Sequence, residues 1–527
     1  MPTRPLLRLL FAIIILSAAL LSGCSVLKVF SDQDTLTVLA GSELKDMEPL
    51  FEQIRRETGI KLEMQYTGTL DGAEKLMAGA DVDLAWFSHA KYLNVLEGAK
   101  GRVKAQEKIM LSPVILGVKT SKAQEWGWVD NPDVTWEDIV QRAASGELRF
   151  AMTNPTSSNT GFSALVGAAA ALSGSADALQ VEDVDRVSEG LKTFFKGLAL
   201  TSGSSGWLAE RYLVEQDRLD GIINYESVLL GLNENPGLRE QLTLVYPKEG
   251  IITADYPLML INDEQREAYD KLVSVLRQPE FQRKIMESTL RRPVIPEVTL
   301  SSEFTNQLLV EVPFPNNQEV VDHLLFAYLD EQSRPAHTFF ILDVSGSMEG
   351  ERLSQLKQAM NNLTGADTSL TGQFARFRDR ERITMLPFSS QVQGVRDFEV
   401  DLNDANSLSQ VQEFVDSLDA GGSTAIYSAL EEAYQLAWQA QKQDPERYYS
   451  IVLLSDGENT AGNSQKEFLS FYNQASTNNQ PIKTFSILFG EADEDTLQAI
   501  AGATGGRIFD AKSEALNQIF KEIRGYQ

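Results

Sequence analysis

Oxygen-bearing side chains cluster in the last third of the sequence, where they follow short apolar runs. Asp343, Ser345 and Ser347 alternate directly after the run 338–342, which has the length of a buried strand. An aspartate at a strand end followed by alternating serines places three oxygen atoms around one point at the edge of a parallel sheet. Such a set suits a hard divalent cation, because Mg²⁺ and Ca²⁺ prefer oxygen ligands. Aspartate and serine also cap helices, so this pattern alone leaves a capping role open.

Two further oxygen-bearing residues occur at similar element ends. Thr424 follows two glycines and a serine and begins a helix predicted over 425–438. Asp456 follows a second apolar run, 450–454. No histidine or cysteine belongs to the set, which disfavours zinc and copper.

These motifs together resemble the von Willebrand factor A (vWA) domain, whose metal-ion-dependent adhesion site carries a DxSxS sequence. The resemblance covers residues 336–527 and implies a Rossmann-like, doubly wound α/β fold. In that family the hydroxyls bind the ion directly and the aspartates often act through water, which leaves one coordination position for an acidic group of a protein partner. Mg²⁺ is expected first, with Mn²⁺ or Ca²⁺ as alternatives. The implied metal ligands are Asp343, Ser345, Ser347, Thr424 and Asp456.

The first two-thirds of the chain alternates strand and helix patterns. Residues 36–40, 62–66, 82–87 and 253–262 are predicted strands, and an apolar face at helical spacing lies between the first two. The segment 154–161 opens a long helix of small residues, which is predicted over 162–172. This alternation predicts a mainly parallel sheet covered by helices.

Residues 35–298 resemble the bacterial solute-binding proteins of ABC importers, which have the two-lobed type II periplasmic-binding fold. The resemblance rests on the leader sequence, the strand ending at Gly41-Ser42-Glu43, the segment 154–161 and the strand that leads into Tyr225-Glu226. It implies a small solute held in the cleft between the lobes. The candidate contacts are Ser42, Glu43, Thr67, Thr69, Ser88, Thr156, Ser157, Ser158, Thr160 and Tyr225.

An alternative role for many of these residues is helix capping, since Ser, Thr and Asn before helices are commonly N-caps. Four such side chains at 157–160 exceed what one cap needs, which favours ligand contact for that group. Helix N-termini favour an anion, whereas Glu43 and Asp71 near the same mouth favour a cationic or sugar-like solute. The sequence leaves the solute open.

The N-terminus has the pattern of an export signal. Arg4 and Arg8 precede the apolar run 9–21, which is too short for a comfortable membrane span. Leu21-Ser22-Gly23-Cys24 resembles a bacterial lipobox, which implies acylation of Cys24 and a lipid anchor on the extracytoplasmic side of the cell-envelope membrane. An ordinary signal peptide or a short anchor helix is the alternative. Cys24 is the only cysteine, so no internal disulfide can form.

The predicted organisation is therefore a signal peptide at 1–24, a tether at 25–34, the solute-binding region at 35–298, a less regular linker at 299–335 and the vWA domain at 336–527. The net charge of −27 argues against nucleic acid, whose binding needs clustered Lys and Arg. No nucleophile with its base, GxSxG motif or P-loop is visible, so an enzyme is not expected. The predicted function is a lipid-anchored binding protein. The alternative is the receptor of an ABC importer with the vWA domain as an accessory.

Overall fold

The computed structural model describes residues 34–99, 101–369, 372–404, 406–456, 458–488, 494–511 and 516–526. Over these residues the chain forms two α/β domains, the first with two sheets and the second with one. The predicted leader, the acylation site at Cys24 and nearly all of the tether lie outside the described residues. Among the residues that are described, no helix is long and apolar enough to cross a membrane.

The first domain alternates strands and helices along most of its length. Its strands are β1 Asp34–Gly41, β2 Ile60–Thr67, β3 Leu84–Trp86, β4 Ala105–Lys108, β5 Met110–Lys119, β6 Phe150–Thr153, β7 Leu198–Ser202, β8 Gly221–Tyr225, β9 Leu242–Val245, β10 Thr253–Ala254, β11 Pro257–Leu260 and β12 Arg292–Pro293. Its helices are α1 Glu48–Thr58, α2 Thr69–Met77, α3 Lys91–Val95, α4 Thr120–Trp126, α5 Trp136–Ala144, α6 Asn159–Ser173, α7 Val181–Phe195, α8 Ser205–Glu215, α9 Glu226–Glu234, α10 Arg266–Leu276 and α11 Pro279–Thr289.

The first domain divides into two lobes, each with its own sheet. The first sheet has the order β2-β1-β3-β11-β4, in which β1 pairs in parallel with β2 and β3 while β11 is antiparallel to its neighbours. The second has the order β10-β5-β8-β6-β7, with β9 and β12 also pairing with β5. The helices that connect parallel strands cover the sheets, as the predicted alternation requires. The two-lobed α/β prediction is confirmed.

The chain crosses between the lobes at β4–β5, at β10–β11 and a third time before β12, which pairs with β5 of the second sheet. The second crossing lies within a segment predicted from sequence as one strand over 253–262. The structure breaks it at Tyr256, whose φ of 37° is outside the strand region. The two lobes contact each other directly, with Tyr92 of the first edge-on to Phe162 of the second at 5.8 Å. Buried side chains from both lobes belong to one hydrophobic cluster.

The segment 299–335, predicted as a less regular linker, contains the helix α12 Gln318–Ala327 and a π-helical turn, Tyr328–Gln332. The Asn317 side chain caps α12 by accepting a hydrogen bond from the Val320 N–H at 2.9 Å. The apolar face of α12 is buried against the first domain. The segment is therefore packed on the protein rather than extended between domains.

The second domain has a six-stranded sheet with helices on both faces. Its strands are β13 Ala336–Asp343, β14 Arg382–Phe388, β15 Arg396–Glu399, β16 Tyr448–Ser455, β17 Lys483–Leu488 and β18 Arg507–Asp510. Its helices are α13 Glu351–Asn361, α14 Gly372–Ala375, α15 Ser407–Asp416, α16 Ile426–Gln443, α17 Gln465–Ser476, α18 Glu494–Thr504 and α19 Leu516–Gly525.

The sheet of the second domain has the order β15-β14-β13-β16-β17-β18 and is parallel except for β15. Successive side chains of β13 point to opposite faces. Phe339 and Ile341 therefore join one hydrophobic cluster, and Phe340 and Leu342 join the other. A strand buried on both faces is apolar throughout, which is why this run was recognisable in the sequence.

Candidate functional sites

Two parallel neighbours, β13 and β16, bring the candidate metal ligands to the carboxyl-terminal ends of the strands in the sheet of the second domain. Leu342 pairs with Leu454 in the register of these strands, so Asp343 and the segment 455–456 leave the sheet side by side. Asp343 and Asp456 are both buried, at 0% and 4% exposure. Ser347 is exposed, which gives the cluster a side open to solvent.

Hydrogen bonds link four of the five predicted ligands in one chain. The Ser345 backbone N–H donates to Asp343 Oδ1 at 2.9 Å, and the hydroxyls of Ser345 and Ser347 lie 3.1 Å apart. The Ser347 hydroxyl donates to Asp456 Oδ1 at 2.7 Å. Residues separated by more than 100 positions in sequence are thus within direct contact.

The fifth predicted ligand, Thr424, lies on a loop that is fastened to the same strand end. Gly346 N–H donates to the Gly422 carbonyl at 3.0 Å, and Gly421 N–H donates to the Val344 carbonyl at 2.8 Å. Gly422 adopts a φ of 90°, a conformation that glycine tolerates best. Within the described residues the Thr424 hydroxyl takes no part in the hydrogen-bond chain of the other four.

Two residues of this site were missed from the sequence, and both contact the aspartates. The Ser455 hydroxyl donates to Asp343 Oδ2 at 2.6 Å. The Arg352 guanidinium, from the first turn of α13, pairs with Asp456 Oδ2 and also donates to the Ser347 carbonyl at 3.3 Å. Ser455 could have been recognised from the sequence, because it lies between the predicted strand 450–454 and Asp456. Arg352 carried no sequence signal, because charged residues at helix starts are common.

Two buried carboxylates, those of Asp343 and Asp456, lie close enough in this cluster to affect each other. Burial raises the pKa of Asp343; the hydrogen bonds from Ser345 and Ser455 oppose this, and the nearby Asp456 raises the pKa further. No group of three or more His, Cys, Asp or Glu that could hold a metal occurs in the described part of the chain. A cation here would thus combine two carboxylates with neutral hydroxyls, a donor set that fits Mg²⁺ with retained waters.

The first domain has a cavity of about 470 Å³ at the junction of its lobes. Four of the ten predicted solute contacts line it, namely Ser42, Thr67, Thr156 and Ser157. The lobes are close together beside it, since a Cβ atom added at Gly68 would lie 3.3 Å from the Ser157 carbonyl oxygen. The cavity is within the size range of small-molecule sites.

Thr160 and its neighbours lie deeper and bond to one another. The Thr160 hydroxyl lies 2.7 Å from that of Thr153, 3.1 Å from that of Ser158 and 2.9 Å from that of Ser205. A hydroxyl has one donor and two acceptor sites, so three partners saturate it. For Thr160 the structure favours the structural role over solute contact.

Of the remaining predicted contacts, Glu43 is half-buried and the others are buried, namely Thr69, Ser88, Ser158 and Tyr225. The hydroxyls of Thr69 and Ser88 are 3.4 Å apart, and Tyr225 accepts a hydrogen bond from Asn159 Nδ2 at 3.0 Å. Burial raises the pKa of Glu43, which its own backbone N–H and Arg291 oppose. Burial also raises the pKa of Tyr225, and Glu43 adds to this rise.

Three helices begin at the rim of the cavity. The N-caps of α2, α6 and α8 are Gly68, Ser158 and Ser204, and none of the three makes a side-chain cap hydrogen bond. The positive ends of three helix dipoles therefore converge here. Lys45 also lines the cavity and lies 5.3 Å from the Tyr66 ring centroid.

Five residues of the second domain also line this cavity, which the sequence did not predict. They are Phe374, Ala375, Lys521, Glu522 and Arg524. No local motif could have indicated them, because their position depends on how the two domains pack.

A two-lobed α/β domain with a cleft cavity, followed by a doubly wound domain with an oxygen cluster at its strand ends, defines a two-domain binding protein. Residues 36–288 match the sequence model of bacterial extracellular solute-binding proteins, and residues 339–522 match that of the von Willebrand factor type A domain. The chain thus contains a domain of each of these two families.

Relatives of known sequence are distant. Human inter-alpha-trypsin inhibitor heavy chain H3 is 26% identical over 181 residues, which is 33% of this chain and 19% of that protein. The uncharacterised protein sll0103 of Synechocystis is 28% identical over 217 residues, 40% of this chain and 47% of that one. The chain spans less than half of the length of these two relatives.

Two solved structures are similar to parts of this chain. The periplasmic binding protein AfuA of Actinobacillus pleuropneumoniae aligns over 57% of this chain and 99% of its own, with 15% identity and a TM-score of 0.44. A von Willebrand factor type A protein of Catenulispora acidiphila aligns over 37% of this chain and 43% of its own, with 20% identity and a TM-score of 0.29.

Proposed function

We propose that this protein is a lipid-anchored binding protein of the bacterial cell envelope, whose vWA domain holds an acidic group of a protein partner through Mg²⁺. The observation that carries the proposal is the hydrogen-bonded chain from Asp343 through Ser345 and Ser347 to Asp456. Buried carboxylates are costly unless they are paired or coordinate a metal. Arg352 is the one cation that pairs with them in the described residues, and its side chain is 38% exposed.

In this proposal Ser345, Ser347 and Thr424 hold the ion, and the two aspartates orient its waters. Ser455 fixes the Asp343 carboxylate through its hydroxyl. The ion would supply a positive charge that hydroxyl ligands leave uncompensated, and the exposed side at Ser347 would admit a carboxylate from outside.

The direct test is titration of Mg²⁺ into the full chain by calorimetry, followed by capture of envelope proteins with and without EDTA. Saturable Mg²⁺ binding and an EDTA-sensitive partner are expected. A chain that binds no divalent cation at millimolar concentration would refute the metal site, and a partner retained in EDTA would refute its role in adhesion.

For the first domain we propose a small solute that carries an anionic group. Three helix N-termini and Lys45 converge on the cavity, which favours negative charge there. Asp71 also lines the cavity, but Lys75 neutralises it at 2.8 Å. Thermal shift of the full chain should be larger with phosphate and citrate than with neutral sugars, because a ligand stabilises the state that binds it.

The alternative, an importer receptor with the vWA domain as an accessory, is favoured by the family of the first domain. A permease would have to reach a cavity that the second domain borders through residues such as Phe374 and Lys521. If the protein is an importer receptor, deleting the genes of an adjacent permease should abolish solute uptake. If it is a metal-dependent binding protein, the same deletion should leave EDTA-sensitive capture of its partner intact.

A further inference from the structure

The cavity of the first domain is bordered by three parts of the molecule rather than two. The first lobe contributes Ser42, Lys45 and the segment 66–71, and the second lobe contributes Thr156, Ser157 and the glycine-serine pair 203–204. The vWA domain contributes α14 and α19. Solute sites between two lobes need no third domain, so this arrangement requires its own explanation.

The end of α19 packs directly on the wall formed by the second lobe. A Cβ atom added at Gly525 would lie 2.8 Å from the Ser157 hydroxyl oxygen and 3.1 Å from the Gly203 Cα. Asn154 Nδ2 donates a hydrogen bond to the Arg524 carbonyl at 3.4 Å. A glycine at 525 therefore permits a backbone approach that a side chain would obstruct.

Side chains next to the cavity fasten this contact. Trp207 of α8 packs edge-on against Tyr526 at 4.7 Å, and it belongs to the rim of the vWA hydrophobic core. Lys483 of β17 lies 5.5 Å from the Trp207 ring centroid and 3.7 Å from Glu215. Burial lowers the pKa of Lys483 to about 8, although Glu215 opposes the shift. The side chains of Lys483 and Glu215 are only 14% and 13% exposed, so this ion pair is largely shielded from water.

We infer that the vWA domain completes the solute site, so that a solute in the cavity is enclosed by both domains and separation of α19 from the second lobe opens it. The inference rests on the proposal that this cavity holds the solute. The vWA wall contributes the apolar surface of Phe374 and Ala375 and the polar side chains of Lys521 and Glu522. These residues would limit the size and shape of the solute, while the lobes supply the hydroxyls and helix ends.

Cysteine reporters can test this wall without knowledge of the solute. Cys24 is the only cysteine, so a full chain carrying Cys24→Ser has no thiol background. Thr67→Cys places a thiol on the cavity wall, Ser157→Cys places one under the end of α19, and Ser302→Cys provides an exposed reference. The probe is sulfonatoethyl methanethiosulfonate, a small anion whose reaction rate reports access.

Trp207→Ala should loosen the domain contact, and Trp126→Ala on the far side of the second lobe is the matched control. We expect labelling at positions 67 and 157 to be slower than at 302, and Trp207→Ala to accelerate both by about three- to tenfold, the equivalent of one aromatic pair. Trp126→Ala should leave both rates unchanged. Gly525→Leu is a second way to force the contact open and should give the same acceleration.

Two results would overturn the inference: labelling at 67 as fast as at 302 in the unperturbed chain, or acceleration at 157 without acceleration at 67. Failure of the solute proposal has a different signature. In that case phosphate and citrate would not shift the melting temperature, whereas the labelling pattern would remain.

Discussion

The two candidate sites of this protein are built in opposite ways. The candidate metal site takes its residues from strand ends and an adjoining loop of one domain, and four of its five residues are linked by hydrogen bonds. The wall of the solute cavity comes from the two lobes of the first domain and from the second domain. Of the ten residues predicted to contact a solute, four line the cavity. The difference teaches that side-chain chemistry specifies the first site, whereas packing between large units specifies the second.

The largest expected effect is on Mg²⁺ affinity, and it should leave the solute cavity unchanged. Asp343→Asn should weaken Mg²⁺ binding by more than about 100-fold, because it removes a charge at the centre of the cluster, whereas loss of the supporting hydroxyl in Ser455→Ala should cost about tenfold. Calorimetric titration measures both, with the exposed Glu349→Gln as a control. The rate of thiol labelling at position 67 should not change. A normal Mg²⁺ affinity in Asp343→Asn would contradict the site.

The next effect concerns the hydroxyl cluster beneath the cavity. Thr160→Val leaves the hydroxyls of Thr153, Ser158 and Ser205 without their shared partner, and should lower the free energy of unfolding by about 1–3 kcal/mol. Urea denaturation measures it. Ser42→Ala, on the exposed cavity wall, should leave stability unchanged. Equal stability of the two variants would show that Thr160 is free for a solute.

Each domain contains one buried histidine, so the effect of acid on the stability of the two domains can be compared. Burial lowers the pKa of His89 and of His337 to about 3. Below pH 6.5 the unfolded chain takes up protons that the folded chain does not, so the free energy of unfolding falls with pH by up to about 1.4 kcal/mol per unit for each histidine. The loss continues until the pH approaches 3.

Single substitutions, His89→Gln and His337→Gln, should each reduce this pH dependence by about one proton between pH 6.5 and pH 4. Denaturation at a series of pH values gives the number of protons taken up. A slope identical to that of the unsubstituted chain would mean that the histidine in question is already protonated in the folded domain.

The smallest expected effect concerns Arg352, whose positive charge lies beside Asp456 at the candidate metal site. Arg352 pairs with Asp456, so a metal must share or displace it. Arg352→Ala should tighten Mg²⁺ binding by about three- to fivefold, the Coulomb energy of one nearby charge in a solvated site. Arg396→Ala, on the exposed strand β15, is the control. Weaker Mg²⁺ binding in Arg352→Ala would mean that this residue supports the site rather than competing with the ion.

Sequence reasoning was strongest where the pattern was local. Strands buried on both faces, such as β13 and β16, were apolar throughout and were placed within a few residues, and α6 begins at Asn159, three residues before its predicted start. The break at Tyr256 was missed, although Asp255 and Pro257 flank it and proline disfavours the interior of a continuous strand. Helix α12 was missed because prolines and asparagines around it obscured ten helical residues.

At the candidate sites, too, only residues marked by a local pattern could be predicted from the sequence. Asp343 and Asp456 could be expected close together because the vWA resemblance places both at the ends of strands in one parallel sheet. The hydrogen bonds of Thr160 could not be predicted, since its partners Thr153 and Ser205 lie on other elements. The vWA residues of the cavity wall lie up to about 480 positions from Ser42 and have no partner that periodicity or spacing could indicate.

The walls of the cavity lie far apart along the chain, which sets the order in which they are made. Both lobes are complete once residue 293 has been made, but the third wall is supplied by α14 and α19. A nascent chain that has not yet reached residue 516, or one cut before it, would contain every hydroxyl of the cleft and still lack the α19 part of its cover. Retention of solute would then be acquired only after α19 has been made, and a single proteolytic cut before that helix would suffice to release the solute.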